Sequence, residues 1–133
     1  MSGVFADTSF FVAYLNPQDE SHDLAHDYMT TCREIILATS WVLVELGNYL
    51  AKGRNRRLLI PLIRQFNADR RSRIIPPDTK LFEQGLALYG KRPDKEWSLT
   101  DCISFTVMKR EGLIDALTGD HHFEQAGFNA LLK

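Results

Sequence analysis

Four carboxylates stand where a folded chain rarely wants a bare charge: Asp7, Glu45, Asp101 and Asp120. Asp7 closes the apolar run Val4-Phe5-Ala6 and precedes a second one, Phe10 to Leu15. Glu45 interrupts Val42-Leu43-Val44-Glu45-Leu46, and Asp120 follows Leu113–Leu117 much as Asp7 follows the first run. Each has a plain structural reading on its own. Asp7 suits a helix N-cap, Ser98-Leu99-Thr100-Asp101 suits a capping box, Asp120 suits a turn, and Glu45 could pair with Lys52 or Arg54. The set is harder to explain in that way. Two charges about 4 Å apart repel by roughly 4 kcal/mol at an effective dielectric of 20, whereas a cap contributes about 1 kcal/mol. A hard divalent ion, Mg²⁺ or Mn²⁺, gives a reason for such a cluster, because it prefers carboxylate and water oxygens. The matching chemistry is hydrolysis of a phosphodiester. Thr8, Ser9, Thr100 and Thr118 lie beside three of the acids, where they could orient carboxylates or touch phosphate; ordinary capping and turn hydroxyls would look the same.

To bring four such residues together the chain needs a fold that converges strand ends. Val4–Ala6, Ile35–Ala38, Arg73–Ile75 and Leu113–Leu117 read as short buried strands, with a small fifth at Phe128–Leu132. Between them fall helices: Phe10–Leu15, stopped by Asn16-Pro17; one from the Ser21 cap to about Cys32; and one from a Thr39 or Ser40 cap, Trp41 to about Lys52, largely buried and ended by Gly53. Further helices are Arg56–Arg71 with Pro61 in its first turn, one capped by Asp78, and one from Ser98 to about Glu111. Alternation of this kind predicts a single domain over 1–133, in three α/β/α layers around a parallel sheet of roughly five strands. Ligands of open α/β sheets bind outside the carboxyl ends of the strands, where Asp7 and Asp120 fall.

Composition narrows the class. With 44% hydrophobic and 25% charged residues and a net charge of −1, the chain is an ordinary globular one. It has no apolar run of membrane length and no signal-peptide pattern, and Cys32 and Cys102 lack metal or redox spacing, which predicts a reduced, cytoplasmic setting without a membrane. Eight of the sixteen basic residues crowd between Lys52 and Arg73. Lys52, Arg54, Arg56 and Arg57 are the candidates for holding a nucleic-acid backbone by charge; a solvated helix face is the plain alternative. Ser9 replaces the second Asp of a haloacid-dehalogenase phosphatase, the Lys of a receiver domain is missing, and there is no G-x-G-x-x-G, P-loop or H-E-x-x-H pattern. His22, His26, His121 and His122 are read as structural or surface groups.

The same residues carry a family resemblance. Phe5-Ala6-Asp7-Thr8-Ser9-Phe10-Phe11, Asp19 with His22 and Ala25, Val44-Glu45, Trp97 through Phe105, and Ala116 through Phe123 occur in the order found in PIN-domain ribonucleases. The chain resembles their small single-domain type, the VapC toxins of toxin–antitoxin pairs. The resemblance implies a five-stranded parallel sheet and an acidic site at Asp7, Glu45, Asp101 and Asp120 that binds Mg²⁺ or Mn²⁺. It also implies endonucleolytic cleavage of RNA to 5′-phosphate and 3′-hydroxyl ends, dimerisation, and inhibition by a small antitoxin protein. The rival is a non-catalytic RNA- or protein-binding module of the same fold.

Overall fold

The computed structural model describes residues 3–133. Among them five strands, β1 (Gly3–Ala6), β2 (Ile35–Thr39), β3 (Ser72–Ile75), β4 (Asp115–Leu117) and β5 (Asn129–Ala130), form one parallel sheet in the order β3-β2-β1-β4-β5. Phe5 sits centrally, paired with Leu37 on one side and Ala116 on the other. Val4, Phe5, Ala6, Ile36, Leu37 and Ala38 are buried, as expected for strands covered on both faces.

The strand order places the helices. From β1 the chain steps outward to β2 and then β3, and right-handed crossovers put α1 (Thr8–Leu15), α2 (His22–Thr31) and α4 (Leu59–Ala68) on one face. From β3 it returns past β1 to β4 and on to β5, a reversed direction that puts α5 (Thr79–Lys91), α6 (Leu99–Glu111) and α7 (His121–Gln125) on the other. Aromatic contacts tie each layer: Phe11 meets Phe66 edge-on at 5.4 Å between ring centroids, and Phe105 meets Phe123 at 4.9 Å. The remaining helix, α3 (Ser40–Tyr49), touches both α1 and α6. Between α5 and α6 the backbones come close, since a Cβ on Gly85 would lie 2.4 Å from Ile103 Cγ1 and 3.3 Å from its Cα.

Several local expectations needed correction. The basic stretch is not one helix over Arg56–Arg71. A 3₁₀ segment, Gly53–Leu58, comes first, and α4 follows with Pro61 third in it. Proline donates no N–H to the preceding turn, so an α-helix running through it from Arg56 would lose a bond there. Helix α3 ends at Tyr49 rather than Lys52, and Gly53, at φ +66°, opens the 3₁₀ segment. That helix is not largely buried: Val42 and Leu46 are, while Val44 and Tyr49 are about 60% exposed. Thr39 caps it through Val42 N–H, not Ser40, whose hydroxyl donates to the Ile75 carbonyl. Ser21 precedes α2 without capping it and donates its hydroxyl to the Leu132 carbonyl. Strand β4 begins at Asp115, the first residue with a register partner in β5, although the Ile114 carbonyl before it already accepts from Asn129 N–H.

Candidate active site

The sheet order reverses beside β1, and the crevice between the carboxyl ends of β1 and β4 is where such folds open a site. There the Thr118 hydroxyl, just past β4, donates to Asp7 Oδ2 at 2.9 Å, and Ser9 Oγ donates to the same oxygen at 3.2 Å. Ser9 and Thr118 hydroxyls are also 3.1 Å apart. Asp7 occupies the N-cap position of α1 but its carboxylate caps nothing. Without a cap bond the helix-cap explanation fails for it, and at 4% exposed it is buried. Burial, reinforced by the charges of Asp101 and Glu45 and opposed chiefly by the Thr118 hydroxyl, pushes its pKa up from 3.8 to about 7.

The other three acids arrive by different routes. Asp101 completes a true capping box on α6: Ser98 Oγ accepts from Asp101 N–H at 3.0 Å, and Asp101 Oδ2 accepts from Ser98 N–H at 3.1 Å. That cap fixes the carboxylate in place, and burial raises its pKa, with the Asp120 charge adding to the rise. Cap and cleft residue are therefore one group in two roles. Glu45, half-buried on α3, accepts a hydrogen bond from the Thr8 hydroxyl. Among the described residues it makes no ion pair with Lys52 or Arg54, which disposes of that alternative. Asp120 caps α7, accepting from His122 N–H at 2.9 Å, and its own N–H donates to Thr118 Oγ1 at 3.0 Å.

All four line one cleft of about 420 Å³. Asp19 and Glu96 join them there with Thr8, Ser9, Val12, Ser98 and His122, and among the described residues no lysine or arginine lines it. Thr100 adjoins Asp101 in sequence but is not part of the lining. Lys52, Arg54, Arg56 and Arg57 are exposed on and just before the 3₁₀ segment that follows α3, outside this lining. Farther along the basic stretch, Arg71 is engaged structurally, bonded to Asp69 and to the carbonyls of Met29 and Cys32.

Reading the sequence assigned no site role to Asp19 or His122, which entered it within the family resemblance, nor to Glu96. Asp19 and Glu96 sit in connecting segments, where no periodicity marks a side chain as inward. Of the histidines, His22 bonds the Ala13 carbonyl and His26 stacks on Tyr14, both structural as expected. His122 is different: its Nδ1 lies 3.3 Å from Asp101 Oδ2 and 3.4 Å from Asp120 Oδ1. Asp120, His121 and His122 hold their ligand atoms within 4.8 Å of one another, a group able to coordinate a divalent metal.

Chemically this is an acidic, oxygen-rich cleft at the strand-order reversal of a doubly wound parallel sheet. The PIN-domain family model matches residues 4–129, and the chain belongs to that family. It is 28% identical over 128 residues to the 23S rRNA-specific endonuclease VapC20 of Mycobacterium tuberculosis, covering 94% of this chain and 95% of the relative. The crystal structure of that bacterium's VapC20, described as a sarcin–ricin loop cleaving toxin, superposes with a TM-score of 0.83 at 26% identity, over 94% and 95% of the two chains. VapBC2 of Rickettsia felis, solved bound to a DNA fragment from its promoter, shares the fold with a TM-score of 0.69 at 16% identity, over 96% of each chain.

Proposed function

We propose that this chain is a Mg²⁺- or Mn²⁺-dependent endoribonuclease, the toxin of a toxin–antitoxin pair, working in the cytoplasm. One observation carries the reading: six carboxylates line a single cleft that, among the described residues, holds no lysine or arginine. Such a surface repels a phosphodiester unless cations intervene. The donor set fits a hard divalent ion, since it is almost wholly oxygen. Asp7, Glu45, Asp101 and Asp120 would hold it. Bound there, the ion would neutralise charge that develops on the phosphate oxygens and favour attack by water.

The chain's own contribution is placement. Thr118 and Ser9 aim the buried Asp7, the capping box fixes Asp101, Thr8 orients Glu45, and the α7 cap fixes Asp120. Lys52, Arg54, Arg56 and Arg57 would grip the RNA backbone beyond the cleft without reading sequence. The VapC20 likeness favours RNA, and a ribosomal RNA loop in particular, as the substrate. Phe82, Leu86 and Tyr89 recur at helical spacing on α5 and are exposed, an apolar stripe suited to a second copy of the chain or to a small antitoxin.

The test is cleavage of RNA by purified protein, with the new ends mapped. Activity should vanish in EDTA and return with Mg²⁺ or Mn²⁺, leaving 5′-phosphate and 3′-hydroxyl termini. RNA binding without any cutting in added metal would instead select the non-catalytic module.

A further inference from the structure

We propose that Asp120, His121 and His122 form a binding site for a transition-series divalent cation of the zinc class. It differs in ligand type from the all-oxygen set and shares Asp120 with it. The proposal rests on the nuclease reading only for its consequence, competition between the two kinds of ion for Asp120.

The two histidine contacts with Asp120 suit a metal better than hydrogen bonds. Nδ1 of His121 and of His122 lie 3.6 and 3.4 Å from the same Asp120 Oδ1. Charge-assisted N–H···O bonds close to about 2.7–2.9 Å, so both contacts are slack as ion pairs. A tetrahedral ion with metal–ligand distances of about 2.0–2.1 Å holds its ligands about 3.3–3.5 Å apart, which these separations approach. All three ligand atoms fall within 4.8 Å, and the two imidazole centroids are 4.4 Å apart.

The donors and their setting agree. Two imidazoles and one carboxylate, leaving a position open, make a donor set used by zinc, and imidazole favours such ions strongly over Mg²⁺. Asp120 is held in place by its bonds from His122 N–H and to Thr118. Asp101 Oδ2 hydrogen-bonds His122 Nδ1 at 3.3 Å, a bond that an ion on that nitrogen would replace, and its carboxylate adds negative charge beside the site. The His121 side chain is 63% exposed, so an ion can enter from solvent, while His122 at 19% is already set against the cleft. An ion seated there takes Asp120 away from the hard cation, so zinc should act as a competitive brake on Mg²⁺-dependent cleavage.

The experiment titrates the metal-stripped full chain with Zn²⁺ by calorimetry, with and without millimolar Mg²⁺. It follows the ¹⁵N shifts of both histidines in parallel and records the visible spectrum of the Co²⁺ form. Expected are a single Zn²⁺ site weakened by Mg²⁺, a metal-induced shift of His121 and His122 ring nitrogens, and the intense bands of four-coordinate Co²⁺. His122→Gln should lower Zn²⁺ affinity on the order of tenfold or more. Asp7→Asn, which removes no ligand of this site, should leave it within about twofold. Unshifted histidines in the wild-type protein, a pale octahedral Co²⁺ spectrum, or undiminished Zn²⁺ affinity in a folded His122→Gln variant would overturn the proposal. The ¹⁵N arm needs no variant to fold. Wild-type protein that cuts RNA with Mg²⁺ yet shows no histidine shift sinks this proposal alone. Protein that shows the shift yet cuts no RNA supports it and sinks the nuclease reading.

Discussion

Replacing Asp7 with Asn should stabilise the metal-free protein, by an amount that pH controls. In the folded chain Asp7 titrates at about 7 instead of 3.8, so the native state binds its proton more tightly than the unfolded state does. Below pH 3.8 both states are protonated and the group's favourable contribution is fully present; between 3.8 and 7 that contribution is lost because the unfolded chain ionises while the buried carboxyl keeps its proton, and above 7 the native group ionises too and the loss levels off. The slope is about 1.4 kcal/mol per pH unit, and the gap between 7 and 3.8 makes the total about 4 kcal/mol. Asparagine is nearly isosteric with the protonated acid and keeps an oxygen to accept from Thr118 and Ser9, but it cannot ionise. In EDTA, Asp7→Asn should therefore match wild type within about 1 kcal/mol at pH 4 and exceed it by up to about 4 kcal/mol at pH 8. That difference corresponds to a melting point higher by about 10 °C or more. Saturating Mg²⁺ should narrow the gap, since it stabilises only the protein that binds it, by about 2.7 kcal/mol at a hundred times its Kd. The assay is urea unfolding at a series of pH values with EDTA or Mg²⁺. A stability difference that is flat with pH, or an Asn variant weaker than wild type at pH 8 in EDTA, would refute the argument.

Other consequences can be checked as directly. Asp101→Asn should retain the α6 cap, because the amide oxygen can still accept from Ser98 N–H, while Mg²⁺ affinity and RNA cleavage fall together; thermal melts and a metal titration on one preparation will show whether they separate. Gly85→Ala should destabilise by about 1–3 kcal/mol, because the clash with Ile103 outweighs the roughly 1 kcal/mol that alanine gains in a helix; a gain in denaturant midpoint would mean that α6 yields easily. Changing Arg54, Arg56 and Arg57 together to Ala should weaken RNA binding and flatten its salt dependence while leaving Mg²⁺ affinity unchanged, and an unaltered salt slope would return those side chains to mere solvation.

The strands were readable from the chain because Val4-Phe5-Ala6 and Ile36-Leu37-Ala38 are buried on both faces and carry no polar interruption. Asp7 was readable for the same reason, as the first charge after such a run. Reading the acids one at a time set cap against cleft as rivals, and at Asp101 the capping box holds the carboxylate in the cleft rather than away from it. Asp19 and Glu96 were opaque because a loop carries no period from which to infer direction. The burial of α3 was misjudged on composition: Val44 and Tyr49 are apolar or aromatic yet face solvent. His122 could have been suspected from its place two residues after Asp120, since the first turn of α7 folds it back toward the carboxylate that caps it.

The capping box at Ser98 and Asp101 has a consequence for anyone who mutates this protein blind. Ser98 Oγ holds Asp101 N–H, so its loss frees both the first turn of α6 and a carboxylate of the cleft. In a survey scored by growth or by cleavage, Ser98→Ala would resemble the loss of a reacting group, although its hydroxyl need never touch RNA. Scored by folding, it would resemble an ordinary helix-cap defect of about 1 kcal/mol. Neither score alone would reveal that one hydroxyl serves both purposes.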